Sequence, residues 1–92
     1  VSSHADRDDP PSNWCDWWTG VTKATDDLYY GWPEGETHPW FWHWCTAMNA
    51  WRGAGTSGHD LVSRDPLHLE PSLLWPCCNM HGFLRSGIWV PA

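Results

Sequence analysis

Trp40-Phe41-Trp42-His43-Trp44-Cys45 is the stretch on which the fold assignment turns. Five aromatic or imidazole rings and a thiol follow one another with no polar stripe at helical spacing, so the run reads as a strand buried on both faces. Successive side chains on a strand point to opposite sides. Trp40, Trp42 and Trp44 therefore share one face, while Phe41, His43 and Cys45 share the other. The two residues here that can hold a metal point the same way.

Turn signals frame this strand. Gly31, Pro33, Gly35 and Pro39 interrupt regular structure between Tyr29 and Pro39. After Cys45 a short helix is expected from Thr46 to Arg52, stopped by Gly53, with a flexible loop over Gly53–Gly58. Nearer the N-terminus, Ser12 or Asn13 is suited to cap a helix starting near Trp14, with Asp16 favouring the dipole in its first turn. Trp14, Trp17, Trp18, Val21 and Leu28 fall at helical spacing, whereas Gly20 and the β-branched residues oppose a helix. Residues 1–13 are acidic and carry Pro10-Pro11. They are expected to be an extended arm ordered by a partner, leaving 14–92 as a single domain.

Toward the C-terminus, His59–Ser63 reads as a strand and Asp65-Pro66 as a turn. Leu67, Leu69 and Leu73-Leu74-Trp75 supply apolar strand or coil positions. Phe83-Leu84-Arg85 and Ile88-Trp89-Val90 flank Ser86-Gly87, a two-residue hairpin signal. The expected class is a small β-rich (α+β) domain with short helices and long loops. A chain of 92 residues buries roughly 60–65% of its unfolded surface, which leaves stability marginal without a staple. Ten Trp against a single Ile make indole rings the main core material.

The formal charge is −6. Eight acids stand against Arg7 and Lys23 up to Glu36, and beyond that Asp60, Asp65 and Glu70 balance Arg52, Arg64 and Arg85. Five scattered basic residues do not make the cationic face that nucleic acid demands. No apolar run is long enough for a transmembrane helix, so no membrane partner is expected. Val1-Ser-Ser-His-Ala has neither the basic nor the apolar segment of a signal peptide. Its thiols are therefore expected to be reduced or metal-bound rather than oxidised. Arg in excess of Lys, with much Trp, Gly, Pro and Asp, suggests GC-rich coding, and Val1 fits a GTG start. Both point to a high-GC bacterium or its phage, hence to the virion or the bacterial cytoplasm.

The chemistry-bearing pattern is His43-x-Cys45 with Cys78-x-x-His81. Two thiols and two imidazoles form a donor set suited to tetrahedral Zn²⁺, giving a zinc-knuckle-like metal staple for the domain. Such a metal would tie residue 45 to residue 78 and supply folding free energy. Cys77 is adjacent to Cys78, and vicinal side chains normally diverge. Cys78 is preferred for its two-residue spacing to His81, with Cys77 as the alternative. Competing readings are part-buried histidines with core thiols, or a Cys45–Cys77 disulfide. Cys15, among Trp14, Trp17 and Trp18, reads as a packed free thiol.

Catalytic patterns are weak. Ser57, His59 and Asp60 do not share a face, and His68 with Glu70 is an ordinary surface pair. Four metal donors suit a closed structural site better than a catalytic one, which keeps an open position. No catalytic residue is assigned and the chain is expected to be non-enzymatic. Exposed Trp rings would offer one more reading, a carbohydrate-binding module.

Glu70-Pro71-Ser72, then Cys78-x-x-His81-Gly82-Phe83-Leu84-Arg85-x-Gly87-x-Trp89-Val90-Pro91-Ala92, resembles small uncharacterised cysteine-rich proteins of actinobacteria and their tailed phages. The resemblance covers residues 60–92 and reaches weakly to His43-x-Cys45, where those proteins tend to carry Cys-x-Cys. Trp75 stands where they can have a further Cys, and Cys77 where they usually have none. The resemblance implies a metal knuckle and a phage or actinobacterial origin, with no reaction attached. The expected role is a structural or interaction protein with protein partners, as a minor or decoration component of a phage particle. The alternative is a phage- or bacterium-encoded binding or regulatory protein.

Overall fold

A computed structural model describes residues 6–14 and 18–92, with the side chains of Trp18 and Thr19 outside the description. The expectations for Cys15 and for the Trp17 and Trp18 side chains lie outside the described residues. The chain divides into two compact units, Val1–Thr56 and Ser57–Ala92.

The first unit is an antiparallel four-stranded meander, β1 (Trp18–Thr25), β2 (Leu28–Pro33), β3 (Trp40–Cys45) and β4 (Ala50–Gly55), in that order across the sheet. β3 is the aromatic run, and it is paired on both sides. Opposite residues in such a ladder share a face. Leu28 opposite His43 and Tyr30 opposite Phe41 therefore belong with Cys45 on one side, and Leu28, Phe41, Cys45 and His43 are almost wholly buried there. The other side holds Tyr29, Trp42, Trp44 and Trp51. Trp51 stands edge-on to both Tyr29 and Trp44, at centroid separations of 5.6 and 5.5 Å. Edge-to-face pairs of this kind add roughly 0.5–1.5 kcal/mol beyond area burial.

Residues 6–14 lie against that second face. Trp14 packs edge-on to Trp42 with centroids 4.8 Å apart, and Trp51 Nε1 donates to the Asp6 carbonyl at 3.1 Å. Trp14 Nε1 donates to the Asp9 carbonyl at 2.9 Å, and Arg7 pairs with Asp27. A stretch with few apolar side chains is thus ordered within its own unit, because its carbonyls satisfy indole N–H groups that a buried Trp must place somewhere.

Helices are nearly absent among the described residues. The one helix among the described residues is a 3₁₀ turn at Pro11–Asn13. Where a helix starting near Trp14 is expected, the described residues from Trp18 on are strand: Thr19, Val21, Thr22 and Thr25 favour the pleat, Gly20 takes φ +63°, and β1 and β2 form a hairpin. The helix expected over 46–52 is a tight turn at 46–49 followed by β4. Pairing with β3 sets Trp51 opposite Trp44, a burial no isolated short helix offers. Gly53-Ala54-Gly55, read as loop, belongs to β4 because the indoles of Trp40 and Trp42 lie over it. A Cβ at Gly53 would fall 2.6 Å from Trp40 Nε1.

The second unit has a two-stranded ribbon, β5 (Asp60–Arg64) with β6 (Leu67–Glu70), and a three-stranded sheet, β7 (Leu73–Trp75), β8 (Met80–Arg85) and β9 (Ile88–Pro91). Ser86 and Gly87 have φ of 52° and 79°, the geometry of a type I′ hairpin turn, as their sequence predicts. The Gly87 N–H donates to the Leu67 carbonyl at 2.7 Å, tying that turn to β6. Leu67, Leu69, Leu73, Trp75 and Leu84 are buried. On the opposite face of β7–β9, Leu74, Ile88 and Val90 are exposed. Among residues with described side chains no Trp is exposed, and no helix is long and apolar enough to cross a membrane.

Gly82 shows how tightly β8 and β9 pack. A Cβ there would sit 2.6 Å from Trp89 Cζ2 and 2.7 Å from the Val90 carbonyl oxygen, whereas one at Gly58 would meet nothing within 4 Å. Gly82→Ala is expected to cost about 1–3 kcal/mol by overpacking, and Gly58→Ala to stay within about 0.5 kcal/mol. Denaturant unfolding of the two variants against the parent checks the contrast.

Candidate metal centre

Two hairpin loops of the same length carry the thiols. Cys45 closes β3 and pairs with Ala50 across the four residues Thr46–Asn49, and Trp75 pairs with Met80 across the four residues Pro76–Asn79. Each loop ends in an asparagine with positive φ, 54° at Asn49 and 57° at Asn79. Asn tolerates that left-handed conformation better than any other residue except Gly. In the second loop the Cys78 N–H turns back to the Trp75 carbonyl at 3.3 Å.

Four donors converge. One ligand atom each from His43, Cys45, Cys77 and Cys78 lies within 4.8 Å of the other three. Ligands about 2.3 Å from a central ion at the corners of a tetrahedron stand roughly 3.8 Å apart, so these atoms need close by no more than about 1 Å to bind one. Cys45, Cys77 and Cys78 form no disulfide, so the Cys45–Cys77 pairing that the sequence also allows is not made. Cys45 and His43 are buried, Cys78 is partly buried and Cys77 is exposed.

His43 is held ready as a neutral ligand. Burial pushes its imidazole below the ordinary histidine range, and the Arg52 charge adds to the effect, against a hydrogen bond to the Arg52 backbone. Metals take the neutral ring and the deprotonated thiol. Three thiolates and an imidazole are a soft, nitrogen–sulfur donor set, suited to Zn²⁺ and to other metals that favour sulfur.

Of the residues singled out in the sequence, His43, Cys45 and Cys78 are together, and Cys77 joins them. His81 stands elsewhere: it is exposed, with Nε2 2.9 Å from Ser72 Oγ. The reason lies in local geometry. Vicinal side chains diverge along an extended strand, but Cys77 and Cys78 sit in a tight turn, where the backbone reverses and neighbours can converge. His81 lies on β8 opposite Leu74, past that turn. The adjacency of the two thiols just before a left-handed Asn is the signal that could have flagged Cys77. Other histidines have local partners: His68 Nε2 lies 2.7 Å from Glu70 Oε2, and His59 Nε2 donates to the Ser72 carbonyl at 3.1 Å.

Comparison with protein-family models, with curated proteins and with solved structures finds no match to this chain.

Cobalt(II), whose thiolate complexes absorb strongly, reads the ligand set directly. Cys45→Ser, Cys77→Ser and Cys78→Ser should each weaken the charge-transfer band and abolish stoichiometric retention, while His81→Ala should leave both unchanged. Titration to acid should release the metal as imidazole and thiolates take up protons.

Proposed function

We propose that the chain is a zinc-stapled domain acting as a structural or interaction protein. The convergence of His43, Cys45, Cys77 and Cys78 carries this reading. Zinc is the metal that three thiolates and one imidazole suit best at tetrahedral geometry, and four protein donors leave no open position for substrate. The two matching loops, each closed by a left-handed Asn, resemble the turns of zinc knuckles, with Cys45 leading one and Cys77-Cys78 inside the other. Structural zinc contributes on the order of 10–16 kcal/mol in small domains, comparable to the whole stability of a chain this size.

Protein partners are the preferred class. Leu74, Ile88 and Val90 lie exposed on one face of the β7–β9 sheet beside Phe83, an apolar surface that suits an apolar-bearing polypeptide, while the Arg85 charge on that face is met by Glu70 at 3.8 Å. A sugar-binding role would need exposed rings for stacking, and among residues with described side chains no Trp is exposed. Assignment to a phage particle rests on the C-terminal resemblance, and mass spectrometry of purified virions tests it: a component must be present at stoichiometric copy number.

Elemental analysis of the purified chain should give one zinc per molecule, and a strong chelator should lower the melting temperature by tens of degrees or unfold it. A metal-free preparation that melts at the same temperature overturns the staple.

A further inference from the structure

The metal cluster leaves unused two residues of the C-terminal motif, Ser72 and His81. The fold brings them together. Ser72 directly precedes β7, His81 lies on the neighbouring β8 opposite Leu74, and the hydroxyl Oγ is 2.9 Å from the imidazole Nε2. This is the contact a nucleophile makes with its general base.

The backbone holds both members. The Ser72 carbonyl accepts from His59 Nε2 at 3.1 Å; a carbonyl can only accept, so His59 carries its proton on that nitrogen. The His81 carbonyl accepts from the Ala92 N–H at 3.0 Å, while β7 and β9 pair with β8 on its two sides. Neither residue is buried: His81 is exposed and Ser72 partly so, and a substrate can reach the pair. Alternation along β8 puts His81, Phe83 and Arg85 on one face, and the register adds Leu74 and Val90 to it. The His81 and Phe83 rings lie 6.4 Å apart, and the Arg85 guanidinium sits over Phe83 at 4.2 Å. The sheet face beside the imidazole is thus largely apolar, and the guanidinium held against the Phe83 ring is paired with Glu70 at 3.8 Å.

We propose that Ser72 and His81 are a nucleophile–base pair for acyl transfer, acting on a carboxylic ester or amide whose acyl part is apolar and rests against Leu74 and Phe83. Ser72 Oγ bonds to the acyl carbon as its proton passes to His81 Nε2. The bond from acyl carbon to the leaving oxygen or nitrogen then breaks, and the leaving group takes that proton. Water, deprotonated by the same imidazole, attacks the acyl-serine, returning Ser72 and releasing the acid. The net change is hydrolysis of one ester or amide bond, with no redox step.

The inference is independent of the zinc reading, and zinc content is measured on every protein used. The full chain as purified is treated with a fluorophosphonate probe, and the adduct is mapped by peptide mass spectrometry. A matched p-nitrophenyl butyrate and butyryl p-nitroanilide pair tells ester from amide turnover. Labelling should fall on Ser72, vanish in Ser72→Ala, and slow by at least about 100-fold in His81→Gln, with melting temperatures unchanged. A folded parent chain that takes no label at Ser72 overturns the proposal. So does labelling at Ser72 that is undiminished in His81→Gln.

Discussion

The two-sided pairing of β3 is the constraint from which the first unit follows. Its six residues lie between β2 and β4, so the strand's backbone hydrogen bonds are taken up by neighbours on both edges. A run of rings this apolar can stay only where both faces are covered. One face supplies Phe41, His43 and Cys45 and is almost wholly buried; the other supplies Trp40, Trp42 and Trp44. Covering the second face is the work of residues 6–14, which add Trp14 and accept the Trp51 indole proton. Gly53 and Gly55 lack side chains where the indoles of Trp40 and Trp42 need room.

That same pleat positions two of the four candidate metal donors. Because residues two apart share a face, His43 and Cys45 leave β3 side by side, and the left-handed asparagines at 49 and 79 let two short loops close tightly around their thiols. A buried, neutral imidazole with three thiols costs a small core little by itself. The four donors come from two stretches far apart in sequence, 43–45 and 77–78.

The second unit uses the pleat differently. Its β7–β9 sheet buries Leu73, Trp75 and Leu84 on one side and leaves Leu74, His81, Phe83, Arg85, Ile88 and Val90 on the other. Chemistry-bearing and apolar side chains therefore share one accessible face. Ser72 beside His81 adds to that face the two groups of the proposed covalent chemistry.

The β3 strand, the shared direction of His43 and Cys45, the Ser86-Gly87 hairpin and the β-rich class were all legible in the amino-acid sequence, because each rests on local periodicity or on turn residues with one preferred conformation. The helices expected to start near Trp14 and to run over 46–52 were not legible as the strands found from Trp18 and from Ala50. Their apolar spacing fits either period, and only pairing against β2 and β3 decides between them. The order imposed on residues 6–14 was equally hidden, since it depends on indole N–H groups distant in the chain. The gathering of Cys77 with Cys78, and of Ser72 with His81, was decided by tertiary structure alone. A turn's exact backbone path sets where adjacent side chains point, and strand register sets which distant residues meet; neither can be read from spacing.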